Sequence, residues 1–257
     1  MTIFEMRNPL YQKKYAEAIV GMAYNEVLTK KLLEINNGQR ELLSDVIIKK
    51  WQPQLLETFD EYFKLTESQE NREALQLVKD EWLHERFVED VTSLVTTDGE
   101  IVLAHGDGQE NNILVMKRDP RNIMLIDFEY VGFASKSWDL ANYINETMFD
   151  NAHPYSPWTE WYPENMLEES EILNLVRVYI EALKNAGVYS GDIKKEEEKM
   201  LLEVKKSMFL NNIYWGIWAV LMIDKTKINE DIFNFGFARK RVEMNRFLRT
   251  LPNFSLT

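Results

Sequence analysis

Asp107, Asn112 and Asp127 are three oxygen-bearing side chains at spacings that suit phosphoryl transfer. Such sites place a carboxylate five residues before an asparagine, with a second carboxylate further along, here in Asp127-Phe128-Glu129. Moving a phosphoryl group requires charge to be held and a hydroxyl to be aimed more than it requires covalent chemistry. A carboxylate such as Asp107 accepts the hydrogen bond of an attacking alcohol. The amide oxygen of Asn112 and the carboxylate of Asp127 are hard ligands of the kind Mg2+ takes. The triplet His105-Gly106-Asp107 alone reads better as a polar turn, because Asp, Asn and Gly are common turn formers. The flanking pattern decides for chemistry.

That pattern is strand-like. Ile101 to Ala104, Ile113 to Met116 and Ile123 to Ile126 are short apolar runs separated by turn residues, with Asp119-Pro120-Arg121-Asn122 as the hairpin turn between the last two. Asp107 and Asp127 then follow the ends of two strands. The remainder reads as helices. Asn8-Pro9 starts one that runs from Leu10 to about Leu33 and stops at Asn36-Asn37-Gly38. Leu42 to Phe63, Ser68 to Val95, Trp138 to Asp150 and Leu167 to Ala186 carry helical spacing. The charged run Lys194 to Lys199 is a solvated face leading into an apolar helix, Met200 to Ile223, and a last helix covers Ile232 to Leu251. His153, Tyr155, Trp158 and Trp161 form an aromatic cluster read as a loop over the site.

At 257 residues, 45% hydrophobic and 12% aromatic, the chain has material for a sizeable core, and without repeats or linkers it reads as one unit over 1–257. A net charge of −12 argues against nucleic acid or an anionic membrane surface as partner, since both need a basic face. There are no cysteines, and the first residues lack signal-peptide features, so the expected location is cytoplasmic. Met208 to Ile223 contains Asn211 and Asn212 and falls short of the roughly 20 residues of a membrane span, so no span is expected.

Ile126-Asp127-Phe128-Glu129-Tyr130-Val131-Gly132-Phe133, followed by Trp138-Asp139-Leu140-Ala141-Asn142 and Glu146, resembles the choline/ethanolamine kinase family. The segment from His105 to Asn112 is similar to that family's His-Asn-Asp-x-Gln-x-Gly-Asn catalytic segment, and Tyr214-Trp215-Gly216-Ile217-Trp218 is similar to its Trp-Gly-x-Trp helix. Gly106 replaces an Asn, as in aminoglycoside phosphotransferases, and Asn111 replaces a Gly, which predicts left-handed backbone at Asn111. The resemblance implies an α+β, mainly helical fold: the C-terminal lobe of a protein-kinase-like enzyme with a small strand-rich catalytic centre. It implies Asp107 as catalytic base, Asn112 and Asp127 as Mg2+ ligands, Gln109 and Glu129 lining the site, and Asp139 bracing the catalytic loop. For the amine it implies Glu146 as negative charge, with Tyr130, Trp215, Trp218 and Phe235 as aromatic faces. A quaternary ammonium has no donor hydrogens and is held by ring quadrupoles, each contact contributing about 0.5–2 kcal/mol. Asn151 and Phe235 stand where the family has tyrosines, so the resemblance names choline or ethanolamine without choosing between them.

The match begins late in the family's architecture, with Thr2 to Pro9 similar to the segment after the hinge between lobes. No glycine-rich loop follows a strand and no strand lysine precedes Asp107, so the N-terminal nucleotide lobe is expected to be absent. A homodimer, or a partner supplying that lobe, is expected to cover the face it leaves. The expected activity is ATP- and Mg2+-dependent phosphorylation of the hydroxyl of choline or ethanolamine, the first step towards the corresponding phospholipids. One alternative is a non-catalytic lobe that binds choline-like amines. Another is an aminoglycoside-type phosphotransferase, favoured by His-Gly-Asp and overall acidity but opposed by the Trp-Gly-Ile-Trp helix. A metal hydrolase is poorer, because His84, His105 and His153 show no ligand spacing.

Overall fold

The structure, a computed structural model, describes residues 1–95 and 99–254; 96–98 and 255–257, part of the expected 1–257 unit, lie outside the described residues. The Asn8 side chain accepts from the Leu10 amide, and Pro9 takes the first helical position, where its missing N–H costs nothing. The single helix expected to Leu33 is two, α1 (Pro9–Ala23) and α2 (Glu26–Ile35), because the Asn25 side chain caps the Leu28 amide and starts a new one. After α3 (Leu43–Val46) the chain widens over Ile47–Trp51 before α4 (Gln52–Leu65). Pro53 accounts for the widening: it has no N–H for the carbonyl four residues back, and Gln52 bonds five back to Ile47 instead. The expected helix from Ser68 to Val95 is likewise two, α5 (Gln69–Trp82) and α6 (Phe87–Leu94).

The strand-rich centre follows. β1 (Ile101–Ala104) is where the sequence puts it, and β2 (Ile113–Val115) pairs antiparallel with β3 (Ile123–Leu125), register Ile113 to Leu125. Asn122 N–H donates to the Asp119 carbonyl at 2.9 Å and closes the expected turn. The partner of β1 is β4 (Gly132–Ser135), a strand that sequence reading left out. The helix expected over Trp138 to Asp150 ends early as α7 (Trp138–Glu146), because Phe149 and Asp150 form β5 (Phe149–Asp150) against β6 (Glu160–Trp161). Three helices complete the chain: α8 (Glu169–Asn185), α9 (Ile193–Leu221) and α10 (Ile232–Thr250). Before β1 the described residues form helices and connections, with one isolated bridge from Leu42 to Phe133. The protein is thus α+β and mainly helical, and no helix among the described residues is long and apolar enough to cross a membrane.

The 29-residue α9 is the axis of the body. Its charged first turns are largely exposed, while from Met200 to Val220 it is mostly buried between α7, α8 and α10, with α4, α5 and α6 on its remaining flank. Gly216 lies where the Trp82 ring crosses α9, and a Cβ there would stand 2.1 Å from the ring. Trp82 is fully buried and has nowhere to retreat. Gly216→Ala is therefore expected to lower the unfolding free energy by about 1–3 kcal/mol, measured by chemical denaturation, despite alanine's better helix propensity. Unchanged stability would show that the Trp82 contact is softer than its burial implies.

Candidate active site

The loop after β1 is held from below by α7. Asp139, in the first turn of α7, accepts from the His105 amide at 2.8 Å on one carboxylate oxygen and from the Gly106 amide at 3.0 Å on the other. Gly106 has φ +89°, and a Cβ there would meet the Tyr130 carbonyl oxygen at 2.3 Å, which explains a glycine at this position. The Asp107 amide donates to His105 Nδ1 at 3.3 Å, which places the neutral ring's proton on Nε2, and that nitrogen lies 3.0 Å from the Ile126 carbonyl. The Ile126 amide in turn donates to the Asn112 carbonyl at 3.0 Å. Two long-range contacts thus tie the loop to the segment carrying Asp127. Both ring nitrogens of His105 are engaged within the protein, so it offers no metal ligand, and no cluster of three or more His, Cys, Asp or Glu suited to a metal occurs among the described residues. The hydrolase alternative loses its support.

Asp107 is buried and its carboxylate is oriented on two sides, by Asn112 Nδ2 at 2.6 Å and Gln109 Nε2 at 3.2 Å. Burial, together with the Glu146 carboxylate, pushes its carboxyl up to about 7, against the hydrogen bonds from Gln109 and Asn112 and the charge of Arg241. Asp127 adopts φ +65°, a left-handed conformation that Asp tolerates better than most residues, and its exposed carboxylate makes no hydrogen bond or ion pair among the described residues. The Asn112 amide oxygen likewise receives no donor there. One unengaged carboxylate and one unengaged amide oxygen beside Asp107 fit a hard divalent cation such as Mg2+. Asn111, in contrast, lies in a short helical turn and is not left-handed, so the expectation of positive φ there is overturned.

Asp107 and Asp127 open onto a hollow of about 320 Å3, together with Gln109, Asn111, Glu129, Tyr130, Glu146, Asn151, Trp215, Trp218, Phe233, Phe237 and Arg241. Tyr130 packs edge-on against Trp215, with ring centroids 4.8 Å apart, and Trp215 packs edge-on against Trp218 at 5.4 Å. Phe235 is not among them. On α10, residues four apart share a face, so Phe233, Phe237 and Arg241 meet the hollow while Phe235 points to the far side, beside Pro157 and Arg239. The expected loop cluster also sits apart: His153, Tyr155, Trp158 and Trp161 do not line the hollow, although Asn151 at the base of the same loop does.

Arg241 was not foreseen, and it changes the role of its neighbour. Its guanidinium is buried between the Phe149 and Phe237 rings, 4.1 and 4.7 Å from their centroids, and donates to Glu146 Oε1 at 2.8 Å. Glu146 Oε2 accepts from Asn151 Nδ2 at 2.9 Å. Asn151 also reaches the buried Glu110, donating from its backbone at 3.0 Å and from its side chain at 3.2 Å. Burial and the Glu146 carboxylate push the Glu110 carboxyl up to about 7, against its own hydrogen bonds from the backbone and from Asn151. Four carboxylates and one guanidinium line the hollow, so its field is negative, and Glu129 makes no ion pair among the described residues.

The fold is one that two solved kinases share. The backbone matches the ethanolamine kinase of Plasmodium vivax with a TM-score of 0.69 at 22% identity, over 99% of this chain and 62% of that one. It matches a choline kinase from Cryptosporidium parvum with a TM-score of 0.65 at 19% identity, over 98% and 68%. The sequence profile of the choline/ethanolamine kinase family matches residues 10–245, and the chain belongs to that family. A human choline/ethanolamine kinase is 29% identical over 150 residues, 57% of this chain and 38% of its own length. Mouse ethanolamine kinase 1 is 24% identical over 188 residues, 67% of this chain and 48% of its own length. The chain therefore spans less than half the length of these curated relatives.

The brace from α7 is testable without turnover. Asp139→Asn keeps the shape but turns one acceptor into a donor facing a backbone N–H, and is expected to destabilise the protein by about 1–3 kcal/mol in denaturant titrations. Amide hydrogen exchange at His105 and Gly106 should accelerate in the same variant. Wild-type exchange and stability would mean that the loop holds its shape without α7.

Proposed function

We propose that this chain acts in phosphoryl transfer from ATP to the hydroxyl of ethanolamine or choline. The observation that carries the reading is the shared hollow: a buried, oriented carboxylate, Asp107, opens onto the same space as the unengaged Asp127 carboxylate and an aromatic, negatively charged wall. In this reading Asp107 accepts the hydrogen bond of the substrate hydroxyl and turns the oxygen lone pair towards the phosphorus. Asn112 and Gln109 fix the Asp107 carboxylate, and Asp139 fixes the loop that carries it. Asn112 and Asp127 would hold Mg2+, which when bound neutralises phosphate charge. Tyr130, Trp218, Phe233 and Glu129 receive the ammonium end, with Trp215 packed behind Tyr130 and Trp218.

A second reading is a lobe that binds the amine without turnover, for which the aromatic, negatively charged wall alone would suffice. A phosphotransfer assay with ATP and Mg2+, offering ethanolamine and choline in parallel, separates the two. The proposal expects product from at least one amine, with Asp107→Ala lowering the rate by about 10²-fold or more. Amine binding by calorimetry without any product would replace the kinase reading with that of a binding lobe.

A further inference from the structure

The wall of the hollow that faces the ammonium carries acceptors as well as rings. Resting on the amine-binding reading above, we infer that this site selects a primary ammonium alcohol over a quaternary one, and that Asn151 is the residue that sets the choice. Both Asn151 side-chain donor bonds go to carboxylates, Glu110 at 3.2 Å and Glu146 at 2.9 Å, which fixes the orientation of its amide. The opposite atom, Oδ1, receives no hydrogen bond among the described residues, and Asn151 lines the hollow. An acceptor held in this way, with Glu129 lining the same hollow, matches a –NH3+ group with its three donors.

The aromatic side of the wall is partly taken. Arg241 already lies over Phe237, 4.7 Å from the ring centroid, and Trp215 is almost fully buried among its neighbours. The Glu146 charge is likewise engaged by Arg241. What remains for an incoming cation is the half-exposed Tyr130, Trp218 and Phe233, together with the Asn151 oxygen and the Glu129 carboxylate. A trimethylammonium group would use the rings but strip water from those oxygens without replacing its hydrogen bonds. A primary ammonium replaces them.

The test is calorimetric binding of ethanolamine, N-methylethanolamine, N,N-dimethylethanolamine and choline to the full chain. Affinity is expected to fall with each added methyl and to differ by about tenfold between the ends of the series, the scale of one charge-assisted hydrogen bond. In Asn151→Leu the ratio between ethanolamine and choline should collapse towards one or invert. Equal or tighter binding of choline by the wild-type chain overturns the inference and leaves the amine-binding reading standing. No binding of any of the four overturns both. Since the wild-type series needs no variant, a poorly folding Asn151→Leu would not shelter the inference.

Discussion

The Asp139 carboxylate is the constraint on which the site depends. A buried anion is costly unless it is fully engaged, and here both oxygens are engaged by consecutive backbone amides of the loop that ends in Asp107. The loop is therefore positioned by a helix terminus rather than by its own turn preferences. Tyr15 of α1 donates to the Asp139 carbonyl at 3.2 Å and stacks near Tyr143, whose hydroxyl donates to the Met6 carbonyl at 2.6 Å. The beginning of the chain, α7 and the catalytic loop are thereby one connected piece of buried hydrogen bonding.

A second buried network runs across the other side of the hollow. Glu110 follows the Asp107 loop, Glu146 ends α7, Asn151 begins the β5–β6 loop and Arg241 lies on α10, and hydrogen bonds of 3.2 Å or less link them in sequence. One positive and two negative side chains share a low-dielectric space, and the neutral amide of Asn151 stands between the two carboxylates. That arrangement explains how like charges are tolerated so close together. The two networks meet at α7, which carries Asp139 in its first turn and Glu146 at its end.

Much of this was legible locally. The β2–β3 hairpin with its Asp119 turn depends on neighbours in sequence, and the structure places it as read. Helix breaks were harder. Asn25 resembled one more polar residue on a helical face until its cap was visible, and the two-residue β5 carries no periodicity to distinguish it from the end of α7. Arg241 was illegible for another reason: its partner Glu146 lies 95 residues away, and nothing in a single sequence pairs them. Phe235 was named by the family resemblance rather than by helix phase, and on α10 it is Phe233, Phe237 and Arg241, four apart, that share the face towards the hollow.

The Arg241 sandwich has a thermodynamic consequence for anything that enters the hollow. With a guanidinium already fixed between Phe149 and Phe237, and Glu146 and Asn151 bound to it in turn, this wall is built before a ligand arrives. A pre-organised wall spares the incoming molecule the entropy of ordering side chains, a cost of about 0.5–1.5 kcal/mol for each one immobilised. Differences in affinity among small amines then report the chemistry of the ammonium group itself rather than the work of assembling a receptor around it.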